Sequence, residues 1–563
     1  MIKRIGSLLV GFLVIFNFAH GQMSPKERQA LQEYATELAA RSAEARKTLE
    51  AEAARLDIPL AYRSGDRYFT LEAIIKGQGV YNQVDNLTSQ EDASADQVKT
   101  GGDMDLELTG AGIRVGVWEA FEGPDTANVR TTHVEFDGRA TNFDAGDFSN
   151  HATHVAGTIG ALGVDATAEG YATAAELDCY DIDSDLAEMA AAALAADPIL
   201  ISNHSYGLFV GWTWDGSMWN HRTGTVEDWM FGAYTDLTED WDNLAYNAPF
   251  LLVMKSSGNH RNDVGTQMAG DPPPDGNNGF DVISPRGVAK NIMTVGANFD
   301  NPSGNYTGPG DVQATAFSSW GPTDDGRVKP DIVANGSGLW SPIGTGDTDY
   351  DSYSGTSMST PSLSGGAALL YEHWNNVLEE TPRAASMKAL LLESADEAGP
   401  NDGPDYSNGW GAMNVADAAQ LITVEGFEGC TQYHEGVLEA DETFEFTLHS
   451  SGDVPLKVTL VWHDPAATNT NNGTVDPNAS YLVNDLDLAV IRADNTVFQP
   501  FVLNPANPAA AATTGINNRD NVEQVLIVDP DEDVYTIRVT APASLENDEQ
   551  RYSLWWLGNG ATE

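Results

Sequence analysis

The chain has 563 residues, 41% of them hydrophobic and 9% aromatic, which is too long for a single core and too apolar for a disordered chain. Its 83 Asp and Glu outnumber 29 Lys and Arg, a formal net charge of −54 that repels polyanions and excludes nucleic acid and anionic membrane surfaces as partners. Structural Ca²⁺ held by a subset of these carboxylates is an expectation that the surplus allows.

Residues 1–21 have the pattern of a secretory signal peptide. Lys3 and Arg4 precede an apolar run from Leu8 to Phe18, and Ala19-His20-Gly21 offers a small-residue cleavage site. The expected location is the periplasm or the medium, and no other stretch has the length of a membrane span. Residues 22–100 are expected to form a helical pro-segment and linker. One long helix runs from 24 to about 56, opened by Ser24 with Pro25 at its first position. The stretch from Gln83 to Gly102 is polar and patternless, as an exposed, cleavable linker would be. Residues 101–425 alternate short apolar strands with helices. Ile113–Trp118, Ala174–Tyr180, Pro198–Asn203, Phe250–Met254 and Asn291–Val295 are the strands, with a helix over Asp185–Ala196. This predicts an α/β domain, a parallel sheet with helices on both faces. Residues 426–563 switch to period two, as in Phe444, Phe446 and Leu448, or Leu456, Val458, Leu460 and Trp462. They predict an antiparallel β-sandwich. The two cysteines, Cys179 and Cys430, make no disulfide framework, and Cys179 reads as a packed thiol or one half of a single bond.

Three segments carry chemistry. Gly355-Thr356-Ser357-Met358-Ser359 opens an apolar, small-residue helix. A serine there has an exposed hydroxyl and a backbone N–H at the positive end of the helix dipole, which favours nucleophilic attack and its oxyanion product. His151-Ala152-Thr153-His154 sets two histidines three apart on one helix. Zinc helices space theirs by four with an intervening Glu, so one histidine is expected to face a cleft and the other to sit in the core. Val253 to Asn259 runs from a buried strand into a loop, where the Asn259 amide can donate to a developing oxyanion.

Taken together, these segments resemble the subtilisin-like serine proteases in order and spacing. The likeness spans roughly 105–425 and extends to Phe317–Pro322, Lys329-Pro330-Asp331 and Ala289–Gly296. It implies a serine endopeptidase with Ser357 as nucleophile and His151 as general base, acting on polypeptides as a monomer without a cofactor. It also implies that Ser205-Tyr206-Gly207 and Ser256-Ser257-Gly258 flank the substrate as strand edges. The order acid, His, Ser excludes the α/β-hydrolase esterases. The departure from the family is the acid. The first strand runs into Glu119-Ala120-Phe121-Glu122-Gly123-Pro124-Asp125 where the family has Asp. Glu119 holds the strand-end position and is favoured, with Asp125 as the alternative if a loop folds back. The sandwich resembles the jelly-roll-like domain of one subtilase branch, which implies Ca²⁺ with Asp485, Asp487 and Asp520 as candidate ligands. The competing function is a catalytically weak binding protein acting through that sandwich.

Overall fold

The computed structural model describes residues 23–558 apart from 57, 65–66, 76–77, 85–92, 215–218, 222–227, 264–278, 302–305, 428–430 and 478. The signal-peptide expectation for 1–21, and Cys430, lie outside the described residues. Helix α1 (Pro25–Leu56) begins where the sequence predicts. The Ser24 hydroxyl accepts from the Glu27 N–H at 3.2 Å, and Glu27 Oε2 accepts from the Ser24 N–H at 2.7 Å, a reciprocal cap. Leu31 and Leu38 of α1 share an apolar cluster with Met189 and Trp241 of the next domain.

The segment after α1 departs from the expected helical pro-segment. It forms β1 (Ala61–Ser64), β2 (Arg67–Ile75) and β3 (Gln78–Val84), an antiparallel meander. Tyr68, Phe69, Thr70, Ile74 and Ile75 are residues that favour extended backbone. The expected exposed linker also ends earlier than Gly102. Ala93, Ala95 and Val98 are buried in the main core, and the Val415 N–H donates to the Ala93 carbonyl at 2.9 Å. Single small apolar residues set among Ser, Asp and Gln leave no periodicity to read.

The central sheet is built from β4 (Arg114–Glu119), β5 (Ala140–Asn142), β6 (Glu176–Asp181), β7 (Ile201–His204), β9 (Leu252–Ser256), β10 (Met293–Asn298) and β11 (Ile332–Asn335), while β8 (Tyr206–Leu208) follows β7 and leaves this sheet. The order is β11-β10-β9-β7-β4-β6-β5 and every pairing is parallel. Helices α2 (Asn150–Gly160), α3 (Asp185–Ala193), α4 (Asp236–Asn247), α5 (Thr356–Leu378), α6 (Ala384–Glu393) and α7 (Val415–Glu425) surround the sheet, as the alternating pattern predicts. Cys179 is a buried free thiol whose pKa burial pushes up, which leaves it inert packing.

The last unit is a pair of four-stranded antiparallel sheets. One joins β12 (Tyr433–Glu439), β19 (Glu549–Leu557), β14 (Leu456–Val461) and β17 (Val522–Ile527); the other joins β13 (Thr443–Ser450), β18 (Asp533–Thr540), β15 (Asp487–Arg492) and β16 (Val497–Phe498). Leu448, Val458, Leu460, Leu488, Val490, Ile537 and Val539 fill the space between them. A buried charge ties this sandwich to the α/β unit. Lys290 Nζ donates to Asp464 Oδ2 at 2.5 Å and to the carbonyls of Pro465 and Tyr481 at 2.7 Å, with both charged side chains fully buried. Removing one partner of such a pair strands the other, so Lys290→Ala is expected to destabilise the protein by about 3–5 kcal/mol. Denaturant unfolding checks this, and a loss below about 1 kcal/mol would show that the tie is dispensable.

Candidate active site

The strand order reverses beside β4. The chain goes from β4 to β5 and β6 on one side, then crosses to β7 on the other, so the carboxyl ends of β4 and β7 border a switch point where α/β sheets place their sites. Glu119 ends β4, with its side chain 1% exposed. His151 lies in the first turn of α2, which is capped by the Ser149 hydroxyl accepting from the Ala152 N–H at 2.9 Å. The helix approaches its neighbour closely: a Cβ on Gly157 would stand 2.3 Å from Pro342 Cγ. This docking brings His151 Nδ1 to 2.6 Å from Glu119 Oε2. Burial pushes the Glu119 carboxyl above its ordinary range while His151 pulls it back down. Asp125 is exposed in a turn at φ 55°, its carbonyl accepting from the Asp147 N–H. His154 is fully buried, with Nε2 2.9 Å from the Leu339 carbonyl, and burial drives its pKa down to about 3, which keeps it a neutral core residue.

Ser357 is the second residue of α5, a 23-residue helix whose dipole favours developing negative charge at this end. Its hydroxyl donates to the Ser205 carbonyl at 2.8 Å, and the Ser205 hydroxyl donates back to the Ser357 carbonyl at 2.9 Å. Asn259 is fixed from the same helix. Its Oδ1 accepts from the Thr356 N–H and the Thr356 hydroxyl, both at 3.0 Å, and Thr356 Oγ1 in turn accepts from the Gly258 N–H at 3.2 Å. A backbone N–H only donates, so the amide atom facing it is the oxygen and the NH₂ is turned away as a donor. Thr356 was not singled out by sequence reasoning. It adjoins the serine, but its partner lies 97 residues away in the chain and only folding joins them.

Of the two predicted substrate edges, β8 (Tyr206–Leu208) pairs antiparallel with β3: Tyr206 with Val84, Gly207 with Gln83 and Leu208 with Asn82. The Ser256–Gly258 edge is partly engaged inward. The Ser256 hydroxyl donates to the Tyr206 carbonyl at 3.3 Å, the Ser257 N–H to Val295 and the Ser319 N–H to the Gly258 carbonyl. The residues expected to hold Ca²⁺, Asp485, Asp487 and Asp520, lie around the Glu523 carboxyl, whose pKa burial and then their charges push up. Asp520 accepts from the Val328 N–H and the Asn517 amide, and Asp487 is exposed. Among the described residues the group with oxygens within 4.8 Å of one another is Asp281, Asp324 and Asp476, contributed by the α/β unit and the sandwich together.

The sequence matches the Subtilase family over residues 86–411. It is 33% identical over 155 residues to the C5a peptidase of Streptococcus pyogenes serotype M6, covering 26% of this chain and 13% of that protein. It is 31% identical over 169 residues to pyrolysin of Pyrococcus furiosus, covering 26% of this chain and 12% of that protein. The chain thus spans about an eighth of the length of these relatives. The solved prenylagaramide maturation protease PagA is 23% identical with a TM-score of 0.38, over 55% of this chain and 93% of that one. The family match takes in more than half of the chain, including Glu119, His151, Asn259 and Ser357: this protein belongs to the Subtilase family.

Proposed function

We propose that the protein is an exported serine endopeptidase that acylates on Ser357 and acts on extended polypeptides as a monomer. The observation that carries this reading is the 2.6 Å contact of Glu119 with His151 beside a serine at the mouth of α5. Glu119 holds the proton on His151 Nδ1 and leaves Nε2 as the base. The Ser357 hydroxyl turns from the Ser205 carbonyl to the imidazole, gives up its proton and attacks the substrate carbonyl. The Asn259 amide and the Ser357 N–H donate to the oxyanion. His151 then returns the proton to the leaving amine, and water hydrolyses the acyl-enzyme by the same route. No cofactor enters these steps; structural Ca²⁺ remains part of the proposal, with Asp281, Asp324 and Asp476 as its ligands.

Residues 22 to about 85 are assigned as the pro-segment, because β3 lies along the edge that an extended substrate would use. Export follows from the residues 1–21 pattern, and no described helix is long and apolar enough to cross a membrane. Hydrolysis of an unfolded protein substrate that an arylsulfonyl fluoride stops is the expected result. No hydrolysis, or hydrolysis indifferent to the reagent, contradicts the reading. Asn259→Ala is expected to lower kcat by about 10²–10³ with little change in KM. Steady-state kinetics checks this, and equal loss in KM would mean that Asn259 binds ground-state substrate instead.

A further inference from the structure

The loop that follows Glu119 also holds the helix that carries His151. Glu119 ends β4, and residues 120–130 then lie against the entry to α2. The Asp147 N–H donates to the Asp125 carbonyl at 2.5 Å, and the Ser149 N–H donates to the Asn128 carbonyl at 2.8 Å. The Arg130 N–H donates to the Thr153 hydroxyl oxygen at 2.9 Å, a bond that reaches into the helix itself. One further tie is charged. Glu122 Oε2 accepts from the Asn150 N–H at 2.7 Å, one residue before His151. Glu122 is held in turn, because its own N–H donates to the Thr126 carbonyl at 2.9 Å across a tight turn.

This contact bears on the base in two ways. Asn150 is the first residue of α2, a position whose N–H has no acceptor within the helix. The Ser149 hydroxyl takes the Ala152 N–H, and the Glu122 carboxylate takes that of Asn150, so together they fix the first turn. His151 is the second residue of this 11-residue helix, where the positive end of the dipole opposes an imidazolium. A carboxylate bonded to the same turn offsets that field. Burial raises the Glu119 carboxyl, His151 lowers it, Glu122 raises it and Lys255 of β9 lowers it, so these charges act on one another. Tyr353 stays neutral, because burial and then the charges of Glu122 and Asp351 push its hydroxyl up. His154, stacked on Tyr353 with ring centres 4.5 Å apart, is neutral as well. We infer that Glu122 is a positioning residue for the reaction: it fixes the first turn of α2 against the loop leaving Glu119 and offsets the positive end of that helix, so that His151 can accept the Ser357 proton. The inference rests on the serine peptidase reading and adds a residue that acts through His151.

The purified exported enzyme tests it with one fluorogenic peptide, followed across the pH range in which histidine titrates. Glu122→Gln keeps an acceptor oxygen for the Asn150 N–H and loses the charge. With the imidazolium less stabilised, the acid limb of kcat/KM is expected to move to lower pH by about 0.5 unit. Glu122→Asp, which keeps the charge, is expected to hold the limb near its wild-type position. Glu122→Ala loses both features and is expected to lower kcat by about 10-fold or more with KM little changed. A residue that merely capped the helix would leave the acid limb of Glu122→Gln unmoved, and that result overturns the inference even if Glu122→Ala fails to fold. A loss in Glu122→Ala that falls on KM instead of kcat overturns it too. A wild-type enzyme without peptide hydrolysis, its Ser357 unreactive towards a fluorophosphonate, overturns the peptidase reading beneath it.

Discussion

Ser357→Ala is expected to lower kcat by about 10⁶-fold, since removing a triad serine takes away the only atom that can carry the acyl group. The fold should survive the change. Ser357 sits in the first turn of α5, where Ala is a good helix former, and its hydroxyl donates to the Ser205 carbonyl. A net hydrogen bond contributes about 0.5–1.5 kcal/mol, so thermal unfolding should shift little while activity disappears. If processing at the pro-segment is self-catalysed, the variant also accumulates with residues 22 onward still attached. Gel analysis of the exported protein reads this directly. Near-normal hydrolysis by Ser357→Ala would mean that another residue is the nucleophile.

Glu119→Gln is expected to lower kcat by about 10³–10⁴ with KM nearly unchanged. The amide keeps the shape but presents an NH₂ or a neutral oxygen to His151 Nδ1, so it neither stabilises the imidazolium nor selects the productive tautomer. The contact is short, 2.6 Å, and both side chains are buried, so no water can substitute for the lost charge. Asp125→Asn should be silent, because Asp125 is an exposed turn residue. Glu119→Asp retracts the carboxylate by one methylene and tests whether β4 places it close enough. A silent Glu119→Gln with an inactive Asp125→Asn would reverse the assignment, and silence of both would leave a Ser-His dyad.

The α/β alternation and the sandwich are legible in the sequence because their strands are buried in regular patterns: largely apolar runs in β4, β9 and β10 and in Ile199-Leu200-Ile201 leading into β7, and period two in β13, β14 and β18. Strand β5, with only Ala140 buried, and β11, set between Lys329-Pro330-Asp331 and a Gly-Ser loop, are too short to stand out. The strands of 61–84 escape because they pair with one another and with β8, a segment more than a hundred residues later, and local propensity alone does not announce that pairing. At the candidate site, Glu119 is legible as the carboxylate that ends a buried strand. Thr356 is not, since its role lies in two bonds to a loop on the far side of β9.

The most direct measurement is to treat the exported enzyme with a fluorophosphonate, digest it and map the adduct by mass spectrometry. The account predicts one adduct, on Ser357 in the peptide that contains Gly355-Thr356-Ser357-Met358, formed slowly or not at all in Glu119→Gln. An unlabelled protein, or an adduct on a different residue with Ser357 intact, would contradict it.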